Sequence, residues 1–215
     1  MKRNAFTMLE LVMAIVVIGI LAALAMPRIE RDLRQDAGDN ILSAIRQTQH
    51  LALNDNKTNP NSLTWQQTLW QIRFTTGGGE WWYTIGANND QGNNLDQAES
   101  AFSISTGKFL HSTDASPAGP NESKEIFLTA MYGINGVAIN NCTTPNDTNA
   151  MHIAFDYLGR PHRGVTQGGG NDFGTLVTDA NGCTLTFTFA DGSPNLNIRI
   201  ERETGYAFIV GQPNS

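Results

Sequence analysis

The side chains that could support catalysis or metal binding are few and scattered in this 215-residue chain. The histidines are His50, His111, His152 and His162. No GxSxG or HExxH motif accompanies them, so neither a serine hydrolase nor a zinc protease is indicated. The sequence therefore predicts a protein with no catalytic residue, no metal site and no cofactor.

Two polar segments have residues that could bind an ion, but each lacks a complete set of ligands. Residues 88–96 carry oxygen-bearing side chains and a glycine, without the spacing and closing glutamate of an EF-hand. Residues 168–170 are all glycine, with no following Lys-Ser or Lys-Thr pair of a phosphate-binding loop. We expect plain polar loops, and calcium binding by residues 88–96 is the alternative.

Glu10 is distinctive because of the residues around it. It follows the bases Lys2 and Arg3 and precedes an uncharged apolar run at residues 11–26. A helix over residues 6–26 would be roughly 31 Å long, which is close to the hydrocarbon thickness of a bilayer. The bases before it predict a cytoplasmic N-terminus and an exported remainder.

An ordinary signal peptide is the competing interpretation of the same residues. A basic start, an apolar core and the sequence ALA at residues 23–25 fit cleavage before Met26, which would leave a secreted soluble β-rich binding module. Glu10 favours the anchored interpretation, because a carboxylate in an apolar helix is costly in lipid and usually marks function or a buried partner.

Residues 5–10, with the sequence AFTMLE, together with the apolar run after them, resemble the N-terminus of type IV pilins and pseudopilins. In that family a prepilin peptidase removes a short leader and the new amine is N-methylated. The resemblance implies cleavage between Ala5 and Phe6, methylation of Phe6, and pairing of Glu10 with the N-terminal amine of a neighbouring subunit. Such pairing makes a buried acid and a buried amine mutually tolerable and sets the axial register.

The sequence departs from the family pattern at two positions and matches it at Pro27. Ala5 stands where the family strongly prefers glycine, and Met8 replaces the more usual leucine. Alanine is the smallest substitute for glycine, so we expect cleavage that could be slow. Pro27 falls where pilins carry a helix-loosening proline, which implies a kink at that position.

An amphipathic pattern follows Pro27. The apolar residues of this stripe are Ile29, Leu33, Ala37, Ile41 and Ile45, widened by Leu42 and Ala52. Their spacing predicts that the helix continues to about Asn54, for a total length of roughly 70 Å. Gly38 would either weaken this helix or allow it to pack closely on the rest of the protein.

The period of the pattern changes from about four to two beyond residue 68, which predicts β-strands with one buried face. The predicted strands are 69–76, 81–85, 101–105, 126–131, 151–157, 183–189, 196–203 and 206–210. The predicted fold class is α+β, with a long hydrophobic-then-amphipathic helix packed on an antiparallel β-sheet head, as in pilins. The predicted divisions are a leader at 1–5, a transmembrane or filament-core helix at 6–26, an amphipathic continuation at 27–56 and an exported head at 57–215.

Cys142 and Cys183 are the only cysteines of the chain. In an exported head, an even number of cysteines is most simply explained by one disulfide. A structural zinc site would need histidine ligands as well, and no ligand spacing such as CxxC is present. The sequence therefore predicts a Cys142–Cys183 disulfide.

The charge distribution disfavours nucleic acid as a partner. The chain has a formal net charge of −6, and residues 58–215 carry 14 acidic and 7 basic residues. Contacts to phosphate supply most nonspecific affinity for nucleic acids. Arg160, His162 and Arg163 form the only basic cluster of the head, and the Gly-Arg-x-Arg motif of some DNA-binding FimT-like pilins is absent from the hairpin at residues 205–208. A DNA-binding minor pilin for uptake is thus an alternative function.

Within the pilin family, the head most resembles the H-type minor pseudopilins and the FimT-like group, at residues 42–45, 153–160 and 198–206. The resemblance implies a minor pilin or pseudopilin, a structural subunit of a type II secretion pseudopilus or a type IV pilus-like filament. The expected partners are prepilin peptidase, other pilin or pseudopilin subunits, and the inner-membrane assembly platform. The expected location is the bacterial inner membrane, with the head in the periplasm, and then the filament. The sequence leaves open which of these machines, or a competence filament, the subunit serves.

Overall fold

A long helix forms the N-terminal part of the structure, a computed structural model that describes residues 8–92, 94–115, 118–144, 150–165 and 173–212, without the side chains of residues 23–32. The helix α1 (Met8–Leu53) contains 46 residues, so its length is about 69 Å. It runs without interruption through position 27 and ends one residue before the predicted end.

One face of the later part of α1 packs on the head. The buried positions are 37, 38, 41, 42, 44, 45, 48 and 52. Their spacing of three and four residues is that of an amphipathic helix, as predicted. Leu33 belongs to the predicted stripe but is 42% exposed, and among the described side chains the burial of this stripe begins at Ala37.

The head contains two four-stranded antiparallel sheets. The strands in chain order are β1 (Trp70–Gly77), β2 (Glu80–Ala87), β3 (Ile134–Asn140), β4 (His152–Phe155), β5 (Pro161–His162), β6 (Cys183–Phe189), β7 (Leu196–Ile200) and β8 (Ala207–Ile209). The first sheet has the order β2-β1-β4-β5 and the second has the order β3-β6-β7-β8. A long helix on antiparallel sheets confirms the predicted α+β class and is consistent with a pilin-like fold.

Two of the predicted strands are wrong. Residues 126–131 lie instead in a 3-10 turn (Lys124–Ile126) and a short helix, α2 (Leu128–Tyr132). Ile126, Phe127 and Leu128 are consecutive and all buried, and such a short apolar run does not distinguish a buried strand from a buried helical turn. The helix α2 ends at Gly133, whose φ of 70° is the left-handed conformation that favours glycine.

The predicted strand at residues 101–105 is also absent, because the chain turns at residues 104–106, where the Gly107 N–H donates to the carbonyl oxygen of Ser103 at 2.9 Å. The Ser103 hydroxyl lies 2.9 Å from the Ser105 hydroxyl and accepts the Thr106 N–H at 3.3 Å. Serine and threonine commonly compete with regular structure in this way. Only an isolated bridge, between Phe102 and Phe109, forms at this place within the described residues.

The sequence reasoning missed the strands β3 and β5. β3 has a register irregularity between Ile134 and Gly136, where it pairs with β6, and this bulge interrupts the alternation of buried and exposed positions. β5 has only two residues, so it has no periodicity to detect. The disulfide between Cys142 and Cys183 joins the segment after β3 to the start of β6, and the two Cα atoms lie 4.4 Å apart.

Gly38 brings α1 close to the second sheet. A Cβ atom at this position would lie 2.9 Å from Cδ1 of Ile209 and 3.4 Å from Cδ1 of Leu196, on β8 and β7. The helix is continuous at Gly38. Of the two predicted roles of this glycine, the structure therefore supports close packing on the head.

Candidate functional site at the N-terminal arm

The first part of α1 is an exposed apolar segment, residues 8–22, which we call the arm. Every residue of the arm is exposed. Met8 is 84% exposed and Leu9 is 77% exposed, and the other large apolar side chains of the arm are at least half exposed. Soluble monomers rarely leave such an extensive apolar surface in contact with water. The arm is thus the strongest candidate for an interaction site on the described chain.

The arm is apolar on all sides of the helix axis. Nine large apolar residues occur between positions 11 and 21, and successive residues of a helix are rotated by about 100°. The buried stripe between residues 37 and 52 covers only one side of the same helix. The one-sided stripe at residues 37–52 can be buried against a single surface. The arm has apolar side chains on every side, so only an apolar environment that surrounds it can bury them all.

Glu10 is the acidic residue of the arm and lies in the first described turn of α1. Its neighbours Leu9 and Leu11 are exposed, and no charged residue follows before Arg28. An apolar environment that covers the arm must therefore also accommodate this carboxylate. A buried carboxylate is tolerated when a cation or hydrogen-bond donors pair with it.

The other predicted N-terminal site residues lie partly or wholly outside the described structure. Ala5 and Phe6 precede the described residues, so their cleavage and methylation stay predictions. Pro27 lies within the described backbone of α1, and its side chain is outside the description. Among the described residues, no helix combines the length and the apolar character needed to cross a membrane.

The predicted basic cluster of Arg160, His162 and Arg163 does not form a basic surface. His162 is fully buried and Arg163 is 8% exposed. The Arg163 guanidinium donates to the carbonyl oxygen of Ala150 at 3.0 Å. Arg160 forms an ion pair with Asp156, with Nη2 2.7 Å from Oδ2. Burial and pairing therefore remove the cluster as a site for phosphate groups.

Asp156 organises a buried polar network that the sequence reasoning missed. Its Oδ1 accepts the backbone N–H groups of Leu158 at 3.0 Å and Arg160 at 2.9 Å, and its Oδ2 accepts the Arg160 Nε–H at 2.8 Å. Burial raises the pKa of Asp156, but hydrogen bonds from His162 and Arg160 outweigh this effect, so its pKa lies below the ordinary value. The residue spacing offered no signal, because acid and base at positions 156 and 160 also fit an exposed helical pair.

His162 connects Asp156 to a second part of the head. Its Nε2 lies 3.4 Å from Asp156 Oδ2, and its Nδ1 lies 2.8 Å from the hydroxyl of Thr175, which donates to the side-chain oxygen of Gln66. Burial lowers the pKa of His162, against the opposing effect of Asp156. An acid, a histidine and a hydroxyl in a row resemble a catalytic relay. All three side chains are nevertheless buried, and the row connects two parts of the head through hydrogen bonds.

The remaining histidines do not assemble a site either. His152 is buried and accepts the Val165 N–H at 3.1 Å; burial and the charges of Arg73 and Arg163 lower its pKa to about 3. His111 is buried beside Leu95, and His50 is exposed near the end of α1. Within the described residues, no group of three or more histidine, cysteine or acidic side chains could hold a metal ion.

Carboxylates within and beside the polar loop at residues 88–96 accept hydrogen bonds from the backbone of the loop. Glu99 Oε1 accepts the N–H groups of Asn89 at 2.7 Å and Asp90 at 3.1 Å. Asp90 Oδ1 in turn accepts the Gly92 N–H at 2.7 Å. These carboxylates stabilise the loop, and calcium binding there has no support from the described geometry.

Comparison with known proteins gives a match in the N-terminal segment, which includes the arm. Residues 1–26 match the family model described as the prokaryotic N-terminal methylation motif. No curated protein and no solved structure among those compared matches the chain. The matched segment contains Ala5, Phe6 and Glu10 and extends through the arm. The motif supports a relation to type IV pilins and pseudopilins and processing by prepilin peptidase.

Proposed function

We propose that this protein is a minor pilin or pseudopilin, a structural subunit of a type II secretion pseudopilus or a type IV pilus-like filament. The observation that carries the proposal is the arm, an exposed helix that is apolar on every side and lies within the matched methylation motif. A filament core surrounds such a helix with those of neighbouring subunits, and a bilayer surrounds it with lipid. An enzyme needs no such arm.

The proposal assigns a role to each part of the chain. Residues 1–5 are the leader, and prepilin peptidase cleaves before Phe6, whose amine is then methylated. Residues 6–26 occupy the inner membrane before assembly and the filament core afterwards, and Pro27 allows the helix to bend between these states. Residues 27–56 continue the helix, and residues 57–215 form the exported head in the periplasm.

The mature N-terminus tests the processing step. The protein is isolated from the membranes of cells that contain prepilin peptidase, and its N-terminal peptide is analysed by mass spectrometry. We expect a chain that begins with methylated Phe6. The variant Ala5→Leu should retain the leader, whereas Ala5→Gly should be processed at least as fast as the native chain. A mature chain that begins at Met26 would instead establish a signal peptide and refute the proposal.

Glu10 tests the assembly step. Leaving a buried amine without its acid costs about 3–5 kcal/mol, so Glu10→Gln should lower incorporation into filaments by more than tenfold while leaving cleavage intact. Asp36→Asn is the matched control, since Asp36 is an exposed acid on the same helix. Incorporation is measured by cross-linking to the other subunits in cell envelopes. Equal incorporation of the Glu10→Gln variant and the control would argue against the pairing.

A further inference from the structure

A groove of about 290 Å³ lies between α1 and the turn at residues 103–105. The residues of α1 that line it are spaced by three and four positions and so share one face of the helix: Asn40, Ser43, Ala44 and Gln47. The turn lines the groove as well, together with Tyr83 of β2 and Glu125. The volume lies just below the roughly 300–1,000 Å³ of most ligand pockets, so the end of one side chain is the appropriate size.

Hydrogen bonds hold the turn in place beside α1. The side-chain amide of Gln47 donates to the carbonyl oxygen of Phe102 at 2.8 Å, which ties the helix to the start of the turn. The Ser103 N–H donates to the carbonyl oxygen of Lys108 at 2.7 Å, and the Gly107 N–H donates to that of Ser103 at 2.9 Å. The groove is therefore formed before any partner binds, and binding requires little ordering of the turn.

The charge that lines the groove is negative. Among the described residues, Glu125 is the only charged one in the lining. Its carboxylate accepts the Ser105 hydroxyl at 3.2 Å and forms no ion pair within the described part of the chain. Lys108 and Lys124 are close to the turn and to Glu125 in the sequence, but neither lines the groove. A carboxylate without a cation beside it favours a positively charged partner.

A second carboxylate adds to this negative charge. Asp36 precedes Asn40 by one turn of α1, so the two lie on the same side of the helix. Burial, and then the charges of Glu125 and Asp36, raise the pKa of Tyr132 to about 12. Both carboxylates therefore act on the same region of the head.

The neutral polar groups of the lining supply further acceptors. The Tyr83 hydroxyl lies 3.4 Å from Asn40 Oδ1, which is long for a hydrogen bond between oxygens. Burial and the charge of Glu125 raise the pKa of Tyr83, so this hydroxyl stays neutral. The hydroxyls of Ser103 and Ser105 lie 2.9 Å apart. An ammonium group has three N–H donors and no acceptor, so it is matched by a carboxylate together with hydroxyl and amide oxygens.

Large apolar side chains are exposed at the same turn. Ile104, which lines the groove, is 87% exposed, and Phe102 is 55% exposed. Exposed apolar side chains rimmed by polar residues are typical of surfaces that a protein partner covers. The methylene stem of a lysine can pack on Ile104 and Ala44 while its ammonium group reaches Glu125.

We propose that this groove binds a lysine side chain of a partner protein. The ammonium group forms an ion pair with Glu125 and hydrogen bonds with the neutral oxygens of the lining, and the stem packs on Ile104. The groove lies in the head and is separate from the arm. The proposal thus goes beyond the role in a filament and does not depend on it.

Two-dimensional NMR of the isotope-labelled full-length protein in non-ionic detergent micelles tests the proposal. The probe is Nα-acetyl-lysine methylamide, and the control is Nα-acetyl-norleucine methylamide, which lacks only the ammonium group. We expect the lysine probe to shift the backbone N–H signals of residues 103–105 with a Kd below about 10 mM, and the norleucine probe to bind at least about fivefold more weakly. Putrescine tests a free diamine as the alternative ligand, and it should bind more weakly than the lysine probe.

Three variants connect the binding to the groove. Glu125→Gln should weaken the lysine probe at least about fivefold, and Ser105→Ala should weaken it about threefold. Glu203→Gln is the matched control, because Glu203 is an exposed acid outside the lining. Ser105→Ala provides the decisive comparison if Glu125→Gln does not fold.

Several results would overturn the proposal. The first is the absence of a saturable shift with the lysine probe at up to about 10 mM. The others are equal affinity for the norleucine probe, tighter binding of putrescine, and folded groove variants that bind the lysine probe as tightly as the Glu203→Gln control does.

Discussion

Replacement of Asp156 should destabilise the head more than replacement of any exposed acid. The carboxylate is fully buried, and it accepts two backbone N–H groups and the Arg160 guanidinium. Asp156→Ala leaves those donors without an acceptor. Arg160 can recover part of the loss, because its side chain is 26% exposed and can turn to water. The backbone N–H groups of Leu158 and Arg160 cannot move in this way.

The expected cost follows from those contacts. A net contribution of about 1.5–3 kcal/mol for each hydrogen bond to a charged group, reduced by the recovery of Arg160, predicts a loss of about 3–5 kcal/mol in the free energy of unfolding. Asp156→Asn keeps one acceptor oxygen and should lose about half as much. Asp191→Asn is the matched control, since Asp191 also accepts a backbone N–H within a turn but is exposed.

Urea unfolding of the full-length protein, followed by tryptophan fluorescence, measures these differences. The pH dependence provides a second reading, because the pKa of Asp156 in the folded protein lies below its ordinary value of 3.8. The stabilisation by Asp156 should therefore be complete above that value and be lost as the pH falls through the lowered pKa. A loss below about 1 kcal/mol for Asp156→Ala would refute the network as a source of stability.

Two further predictions concern buried positions of the head. The pKa of His152 falls from its ordinary value of 6.5 to about 3 in the folded protein. Acidification between these values should therefore protonate His152 only in the unfolded chain and reduce the free energy of unfolding by up to roughly 4 kcal/mol. The variant His152→Gln should flatten this part of the pH profile of urea unfolding, and an unchanged profile would contradict the assignment. A Cβ at Gly205 would collide with the Gly159 carbonyl oxygen, whereas Gly192 has a similar positive φ and no atom within 4 Å of an added Cβ. Gly205→Ala should therefore cost at least about 2 kcal/mol more than Gly192→Ala in thermal unfolding, and equal costs would contradict this packing.

The elements with a regular period were predictable from the sequence. The helix ends at Leu53 against a predicted end near Asn54, and β6 has the predicted bounds of residues 183–189. Both segments follow one period over many residues. The helix at residues 128–132 was mistaken for a strand because consecutive buried apolar residues carry no period, and its neighbours in the fold decide the conformation.

The polar sites were less predictable, because they depend on which strands become neighbours. Arg160 was assigned to a basic cluster from its position beside His162 and Arg163, yet the turn after β4 places it against Asp156. Arg73 and Thr84 face each other across β1 and β2, whose pairing can be predicted from the glycines at residues 77–79 between them. Residues 94–96 and 111–113 line one cleft with Arg73 and Thr84, and no local pattern indicates where those loops lie.

The sequence by itself determined the apolar arm and its single acid, since an uncharged run after Glu10 has the same meaning in any fold. The tertiary structure decided where the charges of the head act. Burial and pairing turned the predicted basic cluster into internal structure, and the pleat of the first sheet placed Arg73 and Thr84 in one cleft. The physical reason is that hydrophobic patterning is local along the chain, whereas electrostatic interactions depend on distances that only the folded chain sets.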